Sequence, residues 1–294
     1  MTPARNGLGN LWSRLRRGAR WAWVSDDYRA ALPADLPETV MTLAATDRHH
    51  VKQGRNTARV RFDSPWGGLT VYLKRHERLP WPARVGALLY PAGRFTPAAA
   101  EAAHLRHARS LGIAVPDVVA AGEEIGPWGT LRSFLMVAEL TGCEEGHLAV
   151  PELHRRLDPA AFARLKRELT VELAGIVARL HGASLFHKDL YLCHVFLDPA
   201  LPDPAGRRLT LIDLHRLGRH RLTAPRWRWK DLGGLLFSTY GVAGIDGRDR
   251  LRFWKHYRRA MGLRFPEAER RAVVAKAARY ARHNGATAPG DDAR

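Results

Sequence analysis

The chain has 294 residues, 46% of them hydrophobic, which suffices for one large domain or two lobes around a packed core. Its two cysteines, Cys143 and Cys193, stand 50 positions apart with no C-x-x-C pair; this argues against a disulfide framework or a structural zinc site and suits a reducing cytosol. The net charge of +18 points to an anionic partner, whether nucleic acid, an anionic membrane face or a phosphorylated substrate, and composition does not choose among them.

In chain order, the first feature is "NLWSRLRRGARWAW" over residues 10 to 23, where Arg14, Arg16, Arg17 and Arg20 interleave with Trp12, Trp21 and Trp23. Leu8, Leu11, Trp12, Leu15 and Ala19 share a face on helical spacing, which predicts a basic interfacial helix; Gly18 weakens it, and a frayed or packed basic terminus is the alternative. Residues 57 to 62 and 69 to 75 alternate and carry β-formers around the Pro and Gly of "DSPWGG", so they predict a hairpin with Lys74 near its end. A helix is expected from about 97 to 111, stopped by Gly112, and two or three strands from 117 to 140.

The second half changes character. A long amphipathic helix over 159 to 183 leads directly into "FHKDLYLCHVFLD"; a Pro/Gly-rich loop, a short strand "RLTLIDL", a basic segment and helices through about residue 283 follow. No apolar run reaches the roughly 18 residues that span a bilayer, and the N-terminus lacks an apolar h-region and a cleavage site, so neither a transmembrane helix nor a secretion signal is expected. The predicted organisation is a basic Trp/Arg-rich segment over 1–44, a β-rich N-lobe over 45–142, a helical C-lobe over 143–283 and a disordered tail over 284–294.

Spacing gives the polar cluster a meaning. An aspartate in a tight loop, a metal-binding side chain five residues on, and a strand ending in another aspartate about two dozen residues later form the arrangement phosphoryl transfer requires. Asp189, His194 and Asp213 occupy those places. The first carboxylate takes the acceptor hydroxyl's proton, and the second holds the divalent ion that neutralises the phosphates. Upstream, Lys74 in "VYLK" fits the lysine that reaches the α/β-phosphates, and Glu101, 27 residues later, fits its helical partner. Downstream, Asp231 in "RWRWKDLGGLLFS", expected at the start of a helix, is placed to brace the catalytic-loop backbone. His187 reads as a brace in the loop more than as a base, and Cys193 as core.

"HKDLYLCHVFLD", "LIDLHR" and "RWRWKDLGGLLFS" resemble the lipopolysaccharide kinase (Kdo/WaaP) family over roughly residues 45 to 245, most of all its heptose kinase branch, where the loop reads H-x-D-x-Y-x-x-H and the metal strand D-L-H-R. The resemblance implies an α+β, bilobal protein-kinase-like fold, ATP and Mg²⁺, and phosphorylation of an inner-core sugar hydroxyl of lipopolysaccharide at the cytoplasmic face of the inner membrane of a Gram-negative bacterium. It makes Asp189 the base, with His187 beside it, Asp213 the main Mg²⁺ ligand, Lys74 the phosphate lysine and Glu101 its partner. An anionic membrane surface and acyl carrier protein follow as partners, and nucleic acid is not expected, since no binding motif accompanies the charge.

Three positions depart from the wider kinase pattern. His194 replaces the usual asparagine and binds metal only through a neutral ring nitrogen, less well than an oxygen would. A full Gly-rich loop is absent, leaving Gly54 and Arg55 to cover the phosphates, and Leu214 and His215 replace the usual Phe-Gly. Glu139 precedes the expected hinge, where the backbone around 138 to 140 would take adenine. A protein side-chain kinase and a basic pseudokinase scaffold are the alternatives; loss of Asp189 or Asp213 would favour the scaffold, and both are present.

Overall fold

A computed structural model of the chain describes residues 19–43, 48–52, 55–63, 68–76, 96–125, 131–198 and 206–284. Two compact units result: the described residues up to His107 together with Pro116–Leu140, and Ala108–Val115 together with the residues from Thr141 onward.

The first unit is built on an antiparallel sheet of β1 (Ala19–Val24), β2 (Arg48–Lys52), β3 (Arg55–Phe62), β4 (Leu69–His76), β5 (Val118–Ile125) and β6 (Leu131–Ala138), in the order β1-β5-β6-β4-β3-β2. Two helices accompany it, α1 (Leu36–Thr42) and α2 (Pro97–Ser110). Period-two alternation puts Ala58 and Val60 of β3 and Val71 and Leu73 of β4 into one core with Phe134, Met136 and, from α1, Leu36 and Val40. The expected hairpin is present, with Thr57 opposite Lys74. Arg75, only 4% exposed, spends its guanidinium on the carbonyls of Val40 and Leu43, at 3.1 and 2.8 Å, where α1 runs out of helical donors.

The N-terminal expectation is corrected at its described end. From Ala19 the chain is an edge strand, not a helix: β1 pairs with β5, Trp21 opposite Glu123 and Trp23 opposite Ala121. In "ARWAWV" the tryptophans at 21 and 23 alternate with Arg20, Ala22 and Val24, a strand signal hidden by the helical spacing of the residues before it. The Arg106 guanidinium lies 4.1 Å from the centre of the Trp23 ring. Residues 1–18 lie outside the described residues.

The second unit is mostly helical: α3 (Gly146–Arg156), α4 (Pro159–Gly182), α5 (Ala224–Ser238), α6 (Gly247–Met261) and α7 (Pro266–His283). Its short strands, β7 (Glu144–Glu145), β8 (Leu185–Phe186), β9 (Val195–Leu197), β10 (Leu209–Leu211) and β11 (Gly218–Arg219), form a three-stranded sheet β10-β9-β7 and a pair β11-β8. Asp158 caps α4 by accepting from the Ala160 and Ala161 N–H groups, and Asp246 with Asp249 forms a reciprocal capping box on α6. Lys166 of α4 reaches both of those carboxylates, at 3.2 and 2.7 Å, and so ties α4 to the start of α6. A cavity of about 700 Å³, lined among others by Leu169, Leu173, Leu235, Phe253, Trp254 and Val273, lies among these helices. Among the described residues no helix is long and apolar enough to cross a membrane.

Candidate active site

In the first unit, Val71, Leu73 and Arg75 of β4 face inward and Lys74 takes the other face, opposite Thr57 and Leu135. Its Nζ lies 2.5 Å from Oε1 of Glu101, which is 2% exposed. The alanines around Glu101, among them Ala98, Ala102 and Ala103, are buried as well. The carboxylate is thus a lone charge on a small-residue face, and a cation must meet it there. Glu139 has a different partner: its carboxylate accepts two hydrogen bonds from Arg59, at 2.6 and 2.9 Å, which hold it below the usual carboxylate range. Gly54 and the side chain of Arg55 lie outside the described residues; the Arg55 backbone pairs with Lys52 and His76.

In the second unit, two strand pairings bring two loops together. β8 runs into His187-Lys188-Asp189 and on to β9, and β10 runs into Asp213 and on to β11; because β9 pairs with β10 and β8 with β11, the loops are neighbours. The His187 ring, fully buried, donates from Nε2 to the Ile212 carbonyl at 2.9 Å, and the Ile212 N–H donates to the His194 carbonyl at 3.0 Å. Burial pushes the His187 pKa down, so the ring is a neutral brace between the loops.

Asp231 fixes the shape of the first loop. Its Oδ2 and Oδ1 accept the main-chain N–H groups of His187 and Lys188, each at 2.7 Å, and the second of these residues sits in the left-handed region at φ 71°. Asp231 stands in the middle of α5 and not at its start, because Pro225 opens the helix and "RWRWK" is already helical. Behind it, Tyr257 donates to His181 Nδ1 at 2.7 Å, and His181 Nε2 donates to Asp231 at 3.4 Å, all three residues being buried. Gly234 completes the packing: a Cβ there would stand 2.9 Å from the Leu190 carbonyl oxygen.

The loops carry Asp189, His194 and Asp213. His194 donates from Nδ1 to the Asp189 carbonyl at 2.7 Å and turns Nε2 toward Asp213 Oδ2, 3.9 Å away. Burial works against a charge on the ring, but the Cys193 sulfur, the Asp189 carbonyl and the Asp213 carboxylate outweigh it and push the pKa up to about 9. Asp213 is left-handed at φ 58° and accepts from His215 Nδ1 at 2.7 Å. Among the described residues no three His, Cys, Asp or Glu side chains are grouped as a metal cage. The Asp213 carboxylate is the kind of oxygen ligand Mg²⁺ takes, alongside waters and phosphate oxygens, whereas the His194 imidazole is a poorer one.

The model of the Lipopolysaccharide kinase (Kdo/WaaP) family matches residues 84–257. The chain belongs to that family. It is 33% identical over 206 residues to the lipopolysaccharide core heptose(I) kinase WaaP of Pseudomonas aeruginosa, covering 70% of this chain and 74% of the relative. The WaaP of Escherichia coli K12 is 39% identical over 95 residues, 32% of this chain and 36% of that one. A solved structure of WaaP in complex with acyl carrier protein superposes with a TM-score of 0.64 at 27% identity, covering 90% of this chain and 98% of the other. The family resemblance and the α+β kinase-like fold expected from the sequence are borne out.

Other residues at this family member's loops were not anticipated. Arg216 Nη1 lies 3.0 and 2.8 Å from the two oxygens of Asp189, and Lys230 Nζ stands 3.6 Å from Oδ1. Lys230 also donates to the Lys188 carbonyl. Glu172 of α4 accepts the N–H groups of Arg208 and Leu209 and so aims β10. The sequence did hold a signal for Arg216: "DLHR" places it three residues after Asp213, on a turn returning toward the first loop.

Proposed function

We propose that this chain transfers the γ-phosphoryl group of ATP to a heptose hydroxyl of the lipopolysaccharide inner core, with Asp189 as the base. As a member of a lipopolysaccharide kinase family it is a phosphotransferase acting on a core sugar hydroxyl. The observation that carries the finer reading is the loop pair. Asp189 sits on a backbone fixed by Asp231, beside a second loop that presents Asp213. Lys74, aimed by Glu101, meets the α/β-phosphates; Gly54 and Arg55 cover them; the backbone at 138 to 140 takes adenine while the Glu139 carboxylate stays with Arg59. Asp213, with His194 in its neutral form, would hold Mg²⁺, which when bound neutralises charge on the β- and γ-phosphates. Asp189 orients the acceptor hydroxyl and accepts its proton once a carboxylate oxygen is released from Arg216.

The net charge of +18 and the basic residues 1–18 support a place at the cytoplasmic face of the inner membrane of a Gram-negative bacterium. The same charge would suit the acidic acyl carrier protein, a partner of the structurally similar WaaP. The test is transfer of labelled γ-phosphate to dephosphorylated core glycolipid, with a protein acceptor in parallel. Asp189→Ala is expected to lower glycolipid labelling by about 10²–10⁴-fold. Label entering only the protein acceptor would replace this reading with that of a protein kinase.

A further inference from the structure

The Asp189 carboxylate is already paired with two cations. Arg216 holds both of its oxygens and Lys230 approaches one of them. A guanidinium that spans both carboxylate oxygens takes up part of their acceptor capacity and part of the room beside them before a hydroxyl arrives. Arg216 therefore needs somewhere else to go. Both contacts come from Nη1 alone, and the side chain is half exposed.

The charges nearby do not balance either. Arg216 and Lys230 share the Asp189 carboxylate and Lys188 lies within reach of both their charges, while Asp231, buried behind the loop, is occupied by main-chain N–H groups. Lys188 and Lys230 stand 4.9 and 5.7 Å from the centre of the Trp227 ring. Gly218 leaves the space that the Lys188 ammonium fills. Burial, and then the charges of Arg216 and Lys230, push the Lys188 pKa down, as expected of cations short of a counter-ion.

We infer that Lys188, Arg216 and Lys230, over Trp227 and Gly218, form an anion-recognising acceptor subsite, so that the hydroxyl phosphorylated is one that neighbours a carboxylate or phosphate on the acceptor. The inference rests on the reading of Asp189 as the base for a sugar hydroxyl. An acceptor oxyanion draws Arg216 away from Asp189 as it binds, and the base is freed only when the correct glycan is present. The donor phosphates already have Lys74 and the Asp213 site, and a neutral sugar hydroxyl needs no cation at all. Recognition and activation are then one event, in which an ion pair is exchanged between Asp189 and the acceptor.

The test separates binding from transfer. The full chain is titrated calorimetrically with three core oligosaccharides: one intact, one with its sugar-acid carboxylates reduced to alcohols, and one stripped of phosphate. Wild type should bind the intact glycan about tenfold or more tightly than the form lacking the recognised group, and Arg216→Ala should remove most of that difference. Whichever modified glycan loses affinity identifies the oxyanion. Arg216→Lys, which keeps the charge, should retain part of the discrimination, and thermal melting of each variant checks that it is folded. Equal binding of all three glycans by wild type, or undiminished discrimination in folded Arg216→Ala, would overturn the inference. Absence of phosphoryl transfer by wild type, measured separately, would count against the reading of Asp189 and not against the subsite.

Discussion

The two units hold their charged groups by different means. In the first, Lys74 is placed by another side chain, the Glu101 carboxylate 2.5 Å away. In the second, Asp189 is placed by the main chain, whose N–H groups at His187 and Lys188 converge on Asp231. The difference is one of reversibility. A pair of side chains can be removed together, leaving two apolar groups, whereas a carboxylate serving backbone donors cannot be removed without orphaning them.

The largest expected effect follows from that contrast. Lys74→Met strands the buried Glu101 carboxylate and should cost about 3–5 kcal/mol in denaturant unfolding. Adding Glu101→Leu should recover most of that stability while leaving the protein inactive. Failure of the double variant to recover would show that the pair is more than a local ion pair. Asp231→Asn retains only one good acceptor for two main-chain donors, so about 1–3 kcal/mol should be lost, with transfer slowed by up to about 100-fold through misplacement of Asp189. No second substitution should rescue it.

A smaller effect is expected at two adjacent glycines of α5, which face different neighbours. Gly234→Ala drives a methyl against the Leu190 carbonyl and should cost about 1–3 kcal/mol, visible in the melting temperature. Gly233→Ala drives its methyl against Cγ and Cβ of Lys276, at 2.7 and 2.8 Å and next to the α7 backbone, and should cost a similar amount through α5–α7 packing while leaving phosphoryl transfer largely unchanged. Equal losses of transfer in the two folded variants would mean that helix packing, not the loop, sets the requirement.

The smallest expected effect is a pH dependence in Mg²⁺-free buffer. His194 has its pKa raised from 6.5 to about 9, so its protonated form stabilises the fold. That contribution is complete below about pH 6.5 and is lost as pH rises through about 9. The melting temperature should fall across that window, and His194→Gln should flatten the decline. The proposed ligation of Mg²⁺ by the neutral His194 ring predicts tighter Mg²⁺ binding as pH rises.

Much of this was legible in the sequence because it is local. The 57–75 hairpin, the helix carrying Glu101 and the long helix before His187 follow from alternation, 3.6-residue periodicity and glycine stops. The order of Asp189, Asp213 and Asp231 follows from a motif whose spacing the fold imposes. What escaped was pairing across long separations. β1 takes its partner about a hundred residues away, and nothing in "ARWAWV" names β5. Arg216, 27 residues from Asp189, is one arginine among many in a basic segment. Periodicity reveals which face a residue occupies, and only the tertiary fold reveals what it meets.

The left-handed backbone at Asp213 has a consequence for how its chemistry can be isolated. Most side chains pay about 1–2 kcal/mol to sit at φ 58°, while Asp and Asn are among the few that tolerate it. Alanine at 213 would therefore change the turn together with the charge, and a dead enzyme would not say which mattered. Asparagine keeps the turn, the size and one oxygen, and removes the charge together with one acceptor oxygen. The fold has left one clean control at this position, and it differs from the native residue by an amide.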